Sequence, residues 1–293
     1  MNTTTRWLIA ALTILAVALT AGCPSGDSSS KGSAEGDKKP EGKQADEGAR
    51  SPENVPKELD IKDIRDKATV VMPSPDQFLT VMAILGKPKW DDLVVPLEKI
   101  TFDSKTQTAI VSGLVLAHFF VHVHAKDADK AEKALDDMLK MAEALKIKTP
   151  DKEVKQVKKR LKKGEWAELR QDFLDMNTEL QNDLIRTQKK PDLAILISLG
   201  AYLEGANLGA RLIVDDYSKE RAELLRQGDL IKEIKRSTEK TLDGNDKHVE
   251  IILKNLGKMQ KIMDVEADKP VTEEMAKEIH ELAQKTREKL LED

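Results

Sequence analysis

Three histidines fall within seven residues of the stretch GLVLAHFFVHVHAKD, namely His118, His122 and His124. His118 and His122 are four residues apart, so they share one face of a helix and could supply two imidazole ligands to a metal ion. A third ligand would have to come from another helix. Glu204, a carboxylate inside an apolar segment, is the candidate. The pattern therefore allows a metal site formed by His118, His122 and Glu204.

The simpler interpretation gives these histidines a packing role. The stretch HFFVH lacks the glutamate of an HExxH motif, and the remaining histidines, His248 and His280, fall in late amphipathic segments. Imidazolium groups at the end of a buried helix would also suit the helix dipole. No CxxCH motif supports haem attachment. We therefore expect no cofactor, and a metal ion is the alternative.

Catalytic motifs are equally sparse. Cys23 is the only cysteine, no GxSxG is present, and the glycines of GAYLEGANLGA are spaced for helix packing and not for cradling a phosphate. The sequence therefore favours a protein that is not an enzyme.

Two long segments must position the histidines and Glu204. KTQTAIVSGLVLAHFFVHVH and PDLAILISLGAYLEGANLGARLIV are apolar nearly all round, which predicts two helices at the centre of a bundle. Glycine inside a helix costs about 1 kcal/mol relative to alanine, so the small residues of each segment predict close contact with the other segment. These residues are Gly113 and Ala117 in the first segment and Ala201, Gly205 and Gly209 in the second.

Burial inside the protein is a simpler interpretation of these two segments than a membrane span. The apolar run of the first is short, and the second contains Glu204, Asn207 and Arg211. Glu204, Asn207 and Arg211 follow the spacing i, i+3, i+7, so they could instead form an ordinary stripe that faces solvent.

The rest of the folded part predicts an all-α helical bundle. Charged residues make up 34% of the chain and aromatic residues 3%, as is typical of helices built from Ala, Leu, Glu and Lys. Ser74-Pro75-Asp76 and Asp127 are helix starts. Further helices are predicted at 151–162, 165–187, 192–214, 218–242, 246–264 and 272–291. The late helices either pack on the core or present a groove to a partner helix.

A basic cluster lies in the stretch DKEVKQVKKRLKKGEW. It could attract anionic lipid headgroups, or it could be the solvated face of an amphipathic helix, which is the simpler interpretation. Its members are Lys155, Lys158, Lys159, Arg160, Lys162 and Lys163.

The first 23 residues have the order of an export signal. Arg6 precedes an apolar run from Trp7 to about Leu19, and small residues lead up to Cys23. The run is too short to cross about 30 Å of hydrocarbon. We therefore expect residues 1–22 to be a cleaved signal peptide.

The sequence LTAGC at residues 19–23 resembles the lipobox of bacterial lipoproteins. The resemblance implies that Cys23 carries a diacylglyceryl group on its sulfur, that cleavage occurs before it, and that acyl chains such as palmitate anchor the protein in the cell envelope. Pro24 stands where Asp would signal inner-membrane retention in enterobacteria, which favours the outer membrane if the organism has two.

Residues 23–56 form the expected tether. Ser, Gly, Lys, Glu and Asp dominate them, and such a composition cannot bury enough apolar surface to fold. A flexible coil of roughly 33 residues spans on the order of 30 Å. We predict a bundle core at 57–215 and C-terminal helices packed on it at 216–293.

Four segments between Ser74 and Ile213 resemble an uncharacterised group of all-helical bacterial lipoproteins. They are SPDQFLTVMAILG, IVSGLVLAHFF, MAEALKI and LISLGAYLEGANLGA. Gly200, Glu204 and Gly205 match a GGWIEGLY-type helix of that group, whereas His118 stands where the group tends to carry an acidic residue. The resemblance implies a helical domain behind a tether and brings no activity with it.

The net charge of the chain bears on its possible partners. The chain has a formal net charge of −4, and weak acidity on an exported protein argues against nucleic acid as a partner. We expect a membrane-anchored envelope lipoprotein with a non-enzymatic binding or structural role and an envelope protein as its partner. The alternatives are a metal-binding helical protein and a bundle that binds lipid or another hydrophobic ligand.

Overall fold

Helices provide the regular structure of the computed structural model, which describes residues 75–86, 88–90 and 92–292. Within these residues there is no β-strand, so the prediction of an all-α bundle is confirmed. The predicted signal peptide, Cys23 and the predicted tether lie outside the described residues. The α-helices are, in chain order, α1 (Pro75–Leu85), α2 (Lys105–Ala125), α3 (Ala128–Ala144), α4 (Asp151–Lys163), α5 (Trp166–Arg186), α6 (Pro191–Asp215), α7 (Lys219–Ala222), α8 (Gly228–Thr241), α9 (Lys247–Met263) and α10 (Glu273–Leu291).

Helix boundaries follow local capping chemistry. The side chains of Ser104, Asp127 and Thr272 each accept a backbone N–H from the first turn of α2, α3 and α10, which satisfies a donor that has no partner within the helix. Pro191 occupies the first turn of α6, where its missing N–H costs nothing. Helices α4, α5, α6, α9 and α10 begin and end within one residue of their predicted bounds.

The prediction of a single helix at 218–242 is wrong. The chain instead forms α7, a 3₁₀ turn at Glu223–Leu225, and then α8. Arg226 explains the break, because its guanidinium donates to the carbonyls of Val265, Glu266 and Lys269 on a distant loop. Gly228 permits close packing there, since a Cβ at this position would lie 2.8 Å from the Cα of Asp264.

Helices α2 and α6 form the centre of the bundle. Both are long and apolar enough to cross a membrane, but 83% and 89% of their apolar windows are buried inside the protein. Helices α1, α3, α5 and α10 pack around this pair. The rings of Phe119 and Phe120 on α2 both contact Phe173 of α5, with centroid separations of 4.0 and 5.3 Å. These contacts join α5 to the central pair.

The central helices touch through their backbones at Gly113 and Gly200. A Cβ at Gly113 would overlap the carbonyl oxygen of Ile197 and the backbone nitrogen of Ala201, and a Cβ at Gly200 would overlap the carbonyl oxygen of Ile110. Ala117, one turn along from Gly113, is fully buried. Only glycine allows so close a crossing.

Gly205 and Gly209 have a different neighbour from the one expected. We expected them to face α2 together with Ala201, but Gly205 contacts Pro75 and Gly209 lies against the ring of Phe78, both on α1. A step of four residues advances about 40° around a helix, so the stripe rotates away from α2 and reaches α1. The five small residues therefore serve two helix contacts and not one.

The C-terminal helices pack on the core. Helices α8 and α9 lie against each other, α9 contacts α10, and α10 packs along α6. The amide of Gln107, near the start of α2, donates to the carbonyls of Leu290 and Glu292, each at 2.9 Å. This contact joins the end of α10 to the central pair.

Candidate functional site

The most polar feature of the bundle interior is the pair formed by His118 and Glu204. Nε2 of His118 on α2 lies 2.7 Å from Oε1 of Glu204 on α6. Both residues are buried, with Glu204 only 2% exposed. Because an ionised carboxylate can only accept, the imidazole donates through Nε2. The sequence nominated these two residues for one site, and the structure places them in direct contact.

Glu204 also anchors a chain of side chains that extends to α10. Nδ2 of Asn207 donates to Oε2 of Glu204 at 3.3 Å, and Nδ1 of His280 lies 2.8 Å from Oδ1 of Asn207. Since that amide oxygen accepts, His280 carries its proton on Nδ1. Nε of Arg287 lies 3.7 Å from Oε1 of Glu204. We call these five residues, His118, Glu204, Asn207, His280 and Arg287, the Glu204 network.

The Glu204 network holds its carboxylate ionised. Burial by itself would raise the pKa of Glu204, but the hydrogen bond and charge of His118, the charge of Arg287 and the amide of Asn207 together keep that pKa below its usual range. Burial lowers the pKa of His280, which favours its neutral form. The network is thus a compensated buried charge cluster that connects α2, α6 and α10.

Two arginines extend the polar contacts to the segment before α2. Nη2 of Arg287 donates to the carbonyl of Val95 at 2.9 Å, and Nη1 of Arg211 donates to the carbonyl of Leu93 at 3.2 Å. The described part of the connection between α1 and α2 is thereby attached to α6 and α10. Arg211 is partly exposed, whereas Glu204 and Asn207 are buried. The predicted solvent-facing stripe is therefore two buried residues and one arginine at its edge.

His122 does not provide the positive charge expected at the end of α2. Burial, followed by repulsion from His118, lowers its pKa from 6.5 to about 4. Its imidazole is therefore neutral near pH 7, and the dipole argument for an imidazolium at this position does not hold.

His124 joins a second polar cluster, at the start of α1. Its Nε2 lies 3.1 Å from Oδ1 of Asp76, and Nε of Arg170 on α5 lies 3.1 Å from Oδ2 of the same carboxylate. The ring of Trp90 stacks on His124 with a centroid separation of 5.1 Å. Asp76 is 2% exposed, so this cluster also connects three helices through one buried carboxylate.

The predicted metal site is only partly assembled. His118 and Glu204 meet, but among residues 75–86, 88–90 and 92–292 no group of three or more His, Cys, Asp or Glu side chains could hold a metal ion. The guanidinium of Arg287 lies against the carboxylate that the metal would need. As it stands, the arrangement is suited to an internal ion pair.

The basic cluster of α4 is partly neutralised. Lys158 pairs with Asp136 at 2.7 Å, Arg160 contacts Glu165 and Asp172, and Lys163 lies 3.5 Å from Glu165. The remaining members, Lys155, Lys159 and Lys162, are exposed. These contacts match the solvated face of an amphipathic helix whose apolar seam, Val157 and Leu161, is buried.

Sequence patterns missed Arg287 and Asp76, the charged partners that come from outside the central helices. Arg287 lies in an amphipathic segment where charge is ordinary, and Asp76 was interpreted only as part of a helix start. The burial of Arg287 could have been predicted, because it follows Ala276, Ile279 and Ala283 at helical spacing and so lies on the apolar face of its helix.

No protein-family model, no curated protein and no solved structure matches the chain.

Proposed function

We propose that this protein is a lipid-anchored lipoprotein of the bacterial cell envelope, in which a helical domain has a non-enzymatic binding or structural role. The observation that carries the proposal is the order of Arg6, an apolar run and LTAGC ending at Cys23, followed by a polar tether. Acyl chains on Cys23 would hold the protein at the membrane, because two or more chains anchor stably.

The Glu204 network supports a structural role for the polar interior. Each of its charged groups has a partner within the bundle, and Glu204 is 2% exposed. Removing one partner of such a cluster strands a buried charge, so the network favours a single arrangement of α2, α6 and α10. We therefore propose that partners bind at the outer surface of the domain, with an envelope protein as the principal partner.

Metal binding is the second candidate function. The 2.7 Å separation of His118 and Glu204 favours it, and His122 is uncharged and one turn further along α2. Metal binding would require Arg287 to leave Glu204. Elemental mass spectrometry of the untagged protein beside a His118→Ala/His122→Ala variant tests this candidate. Stoichiometric metal that is lost in the variant would favour it over a purely structural network.

A hydrophobic-ligand site between the central helices finds less support. Gly113 and Gly200 bring the backbones of α2 and α6 into contact, which leaves no room for an acyl chain at their crossing.

The anchor is tested by growing cells that express the full chain with labelled palmitate. We expect label in the wild-type protein and none in Cys23→Ser. Equal labelling of both proteins would contradict lipidation at Cys23. Membrane fractionation in a host with two membranes then tests the outer-membrane location inferred from Pro24.

A further inference from the structure

A pocket of about 470 Å³ lies between α8 and α9, away from the Glu204 network. Four of its lining residues are lysines. Lys235 reaches it from α8, and Lys254, Lys258 and Lys261 project from α9 with the spacing i, i+4, i+7 that places them on one face. The pocket is open to solvent, with Lys254, Lys258 and Lys261 exposed and Lys235 half-buried.

These four lysines carry uncompensated charge. Within residues 75–292 as described, none of them forms an ion pair, whereas Lys158 and Lys163 of the α4 cluster do. Asp264 is the only acidic residue of the pocket lining. Ammonium groups gathered around a concave surface create a positive potential that concentrates anions.

Gly257 allows the ammonium of Lys235 to lie close against the backbone of α9. A Cβ at Gly257 would lie 3.3 Å from Nζ of Lys235, closer than an ordinary contact, so the absence of a side chain at Gly257 gives Lys235 its place in the pocket. Asp264 lies just past the end of α9, where the helix dipole is also negative. An anion is therefore expected at the opposite end of the pocket, near Lys235, Lys254 and Lys258.

From this geometry we propose that the α8–α9 pocket binds a phosphate group. Lysine is a common phosphate ligand, because its compact ammonium pairs with oxygens that carry up to two negative charges. The amide of Gln260 adds a donor, and Leu253 adds an apolar wall. The phosphate could belong to a small phosphorylated molecule or to an anionic lipid headgroup.

Isothermal titration of the full chain carrying Cys23→Ser, in a non-ionic detergent and about 0.15 M salt, tests this proposal. The probes are pyrophosphate, dihexanoyl phosphatidylglycerol and, as an uncharged control, dihexanoyl phosphatidylcholine. We expect one saturable site for at least one of the anionic probes and none for phosphatidylcholine. Binding of both anionic probes, or of pyrophosphate alone, supports recognition of the phosphate itself. Binding of phosphatidylglycerol alone supports a headgroup site.

A matched pair of variants locates the site. Lys254→Gln/Lys258→Gln/Lys261→Gln should weaken binding by roughly tenfold or more, as expected from the loss of more than 1.4 kcal/mol. Lys155→Gln/Lys159→Gln/Lys162→Gln has the same spacing and the same change in net charge on α4, and it should change affinity less than about twofold. Equal losses in both variants, or no saturable binding of either anionic probe, would overturn the proposal.

A second variant changes the shape of the pocket without changing its charge. Gly257→Leu puts a side chain where the ammonium of Lys235 lies and so displaces it, keeps every lysine, and replaces glycine by a better helix former. We expect it to abolish anion binding while the thermal unfolding temperature stays the same or rises. Unchanged affinity in Gly257→Leu would place any binding outside the pocket and overturn the proposal.

Discussion

Nε2 of His118 lies 2.7 Å from Oε1 of Glu204 in the interior of the bundle, and Arg287 approaches the same carboxylate from a third helix. One side chain therefore links α2, α6 and α10. Buried charge clusters of this kind stabilise a fold only as a set, because each member depends on the others for compensation.

Glu204→Gln should lower the free energy of unfolding by about 3 kcal/mol, since it leaves Arg287 buried without a counter-charge. Chemical denaturation followed by circular dichroism measures this loss. Glu281→Gln on the exposed face of α10, where Glu281 pairs with Lys285, is the control and should cost less than about 0.5 kcal/mol. Wild-type stability in Glu204→Gln would show that the network contributes nothing.

Gly113→Ala should destabilise the protein by about 1–3 kcal/mol, because its methyl group would overlap the backbone of α6. Gly205→Ala is the matched control. A Cβ there meets Pro75 at 3.7 Å, an ordinary contact, and alanine should add up to about 1 kcal/mol through helix propensity. Thermal unfolding of the two variants should therefore shift in opposite directions. Equal shifts would contradict the backbone contact between α2 and α6.

Stability should fall as the pH is lowered from about 6.5 to about 4, because the folded pKa of His122 is depressed to about 4. In that interval the unfolded chain binds a proton that the folded chain does not, so the contribution of His122 is present above pH 6.5 and lost toward pH 4. The full shift corresponds to about 3 kcal/mol, and partial solvent exposure reduces this to about 2.

His122→Gln should flatten this decline without abolishing it, because burial also lowers the pKa values of His248 and His280. Denaturation curves at a series of pH values for both proteins provide the measurement. Superimposable pH profiles would show that His122 titrates normally in the folded state.

Arg226→Met should loosen the loop between α9 and α10, since it removes the donors to the carbonyls of Val265, Glu266 and Lys269. Hydrogen exchange of the amides at 264–271 should accelerate by tenfold or more, as expected when roughly 1.4 kcal/mol of local stability is lost. Exchange within α2 should not change. Acceleration throughout the bundle would indicate global unfolding and not a local role.

Much of the fold follows from sequence because helix caps, prolines and apolar spacing act locally. Asp127 and Pro191 mark helix starts wherever the helices later pack. The break at Arg226 could not be predicted, because its cause is a set of carbonyls about 40 residues away. Small-residue spacing likewise predicted close contacts but could not distinguish α2 from α1 as the neighbour of Gly209.

The candidate site could be predicted in part, because the local sequence shows a carboxylate and a histidine in apolar helices. A lone carboxylate in an apolar helix needs a partner, and His118 was the nearest equivalent residue in the other apolar helix. Arg287 decides what the site can do, yet its approach depends on how α10 packs on α6, which no local pattern specifies.

The most direct test of the central claim, a lipid anchor on a helical envelope protein, is the intact mass and N-terminal peptide analysis of protein purified from bacterial membranes. The account predicts a mature chain that starts at Cys23, with a diacylglyceryl group on its sulfur and Pro24 as the second residue. A chain that retains Arg6, or one cleaved at another position with an unmodified Cys23, would contradict it.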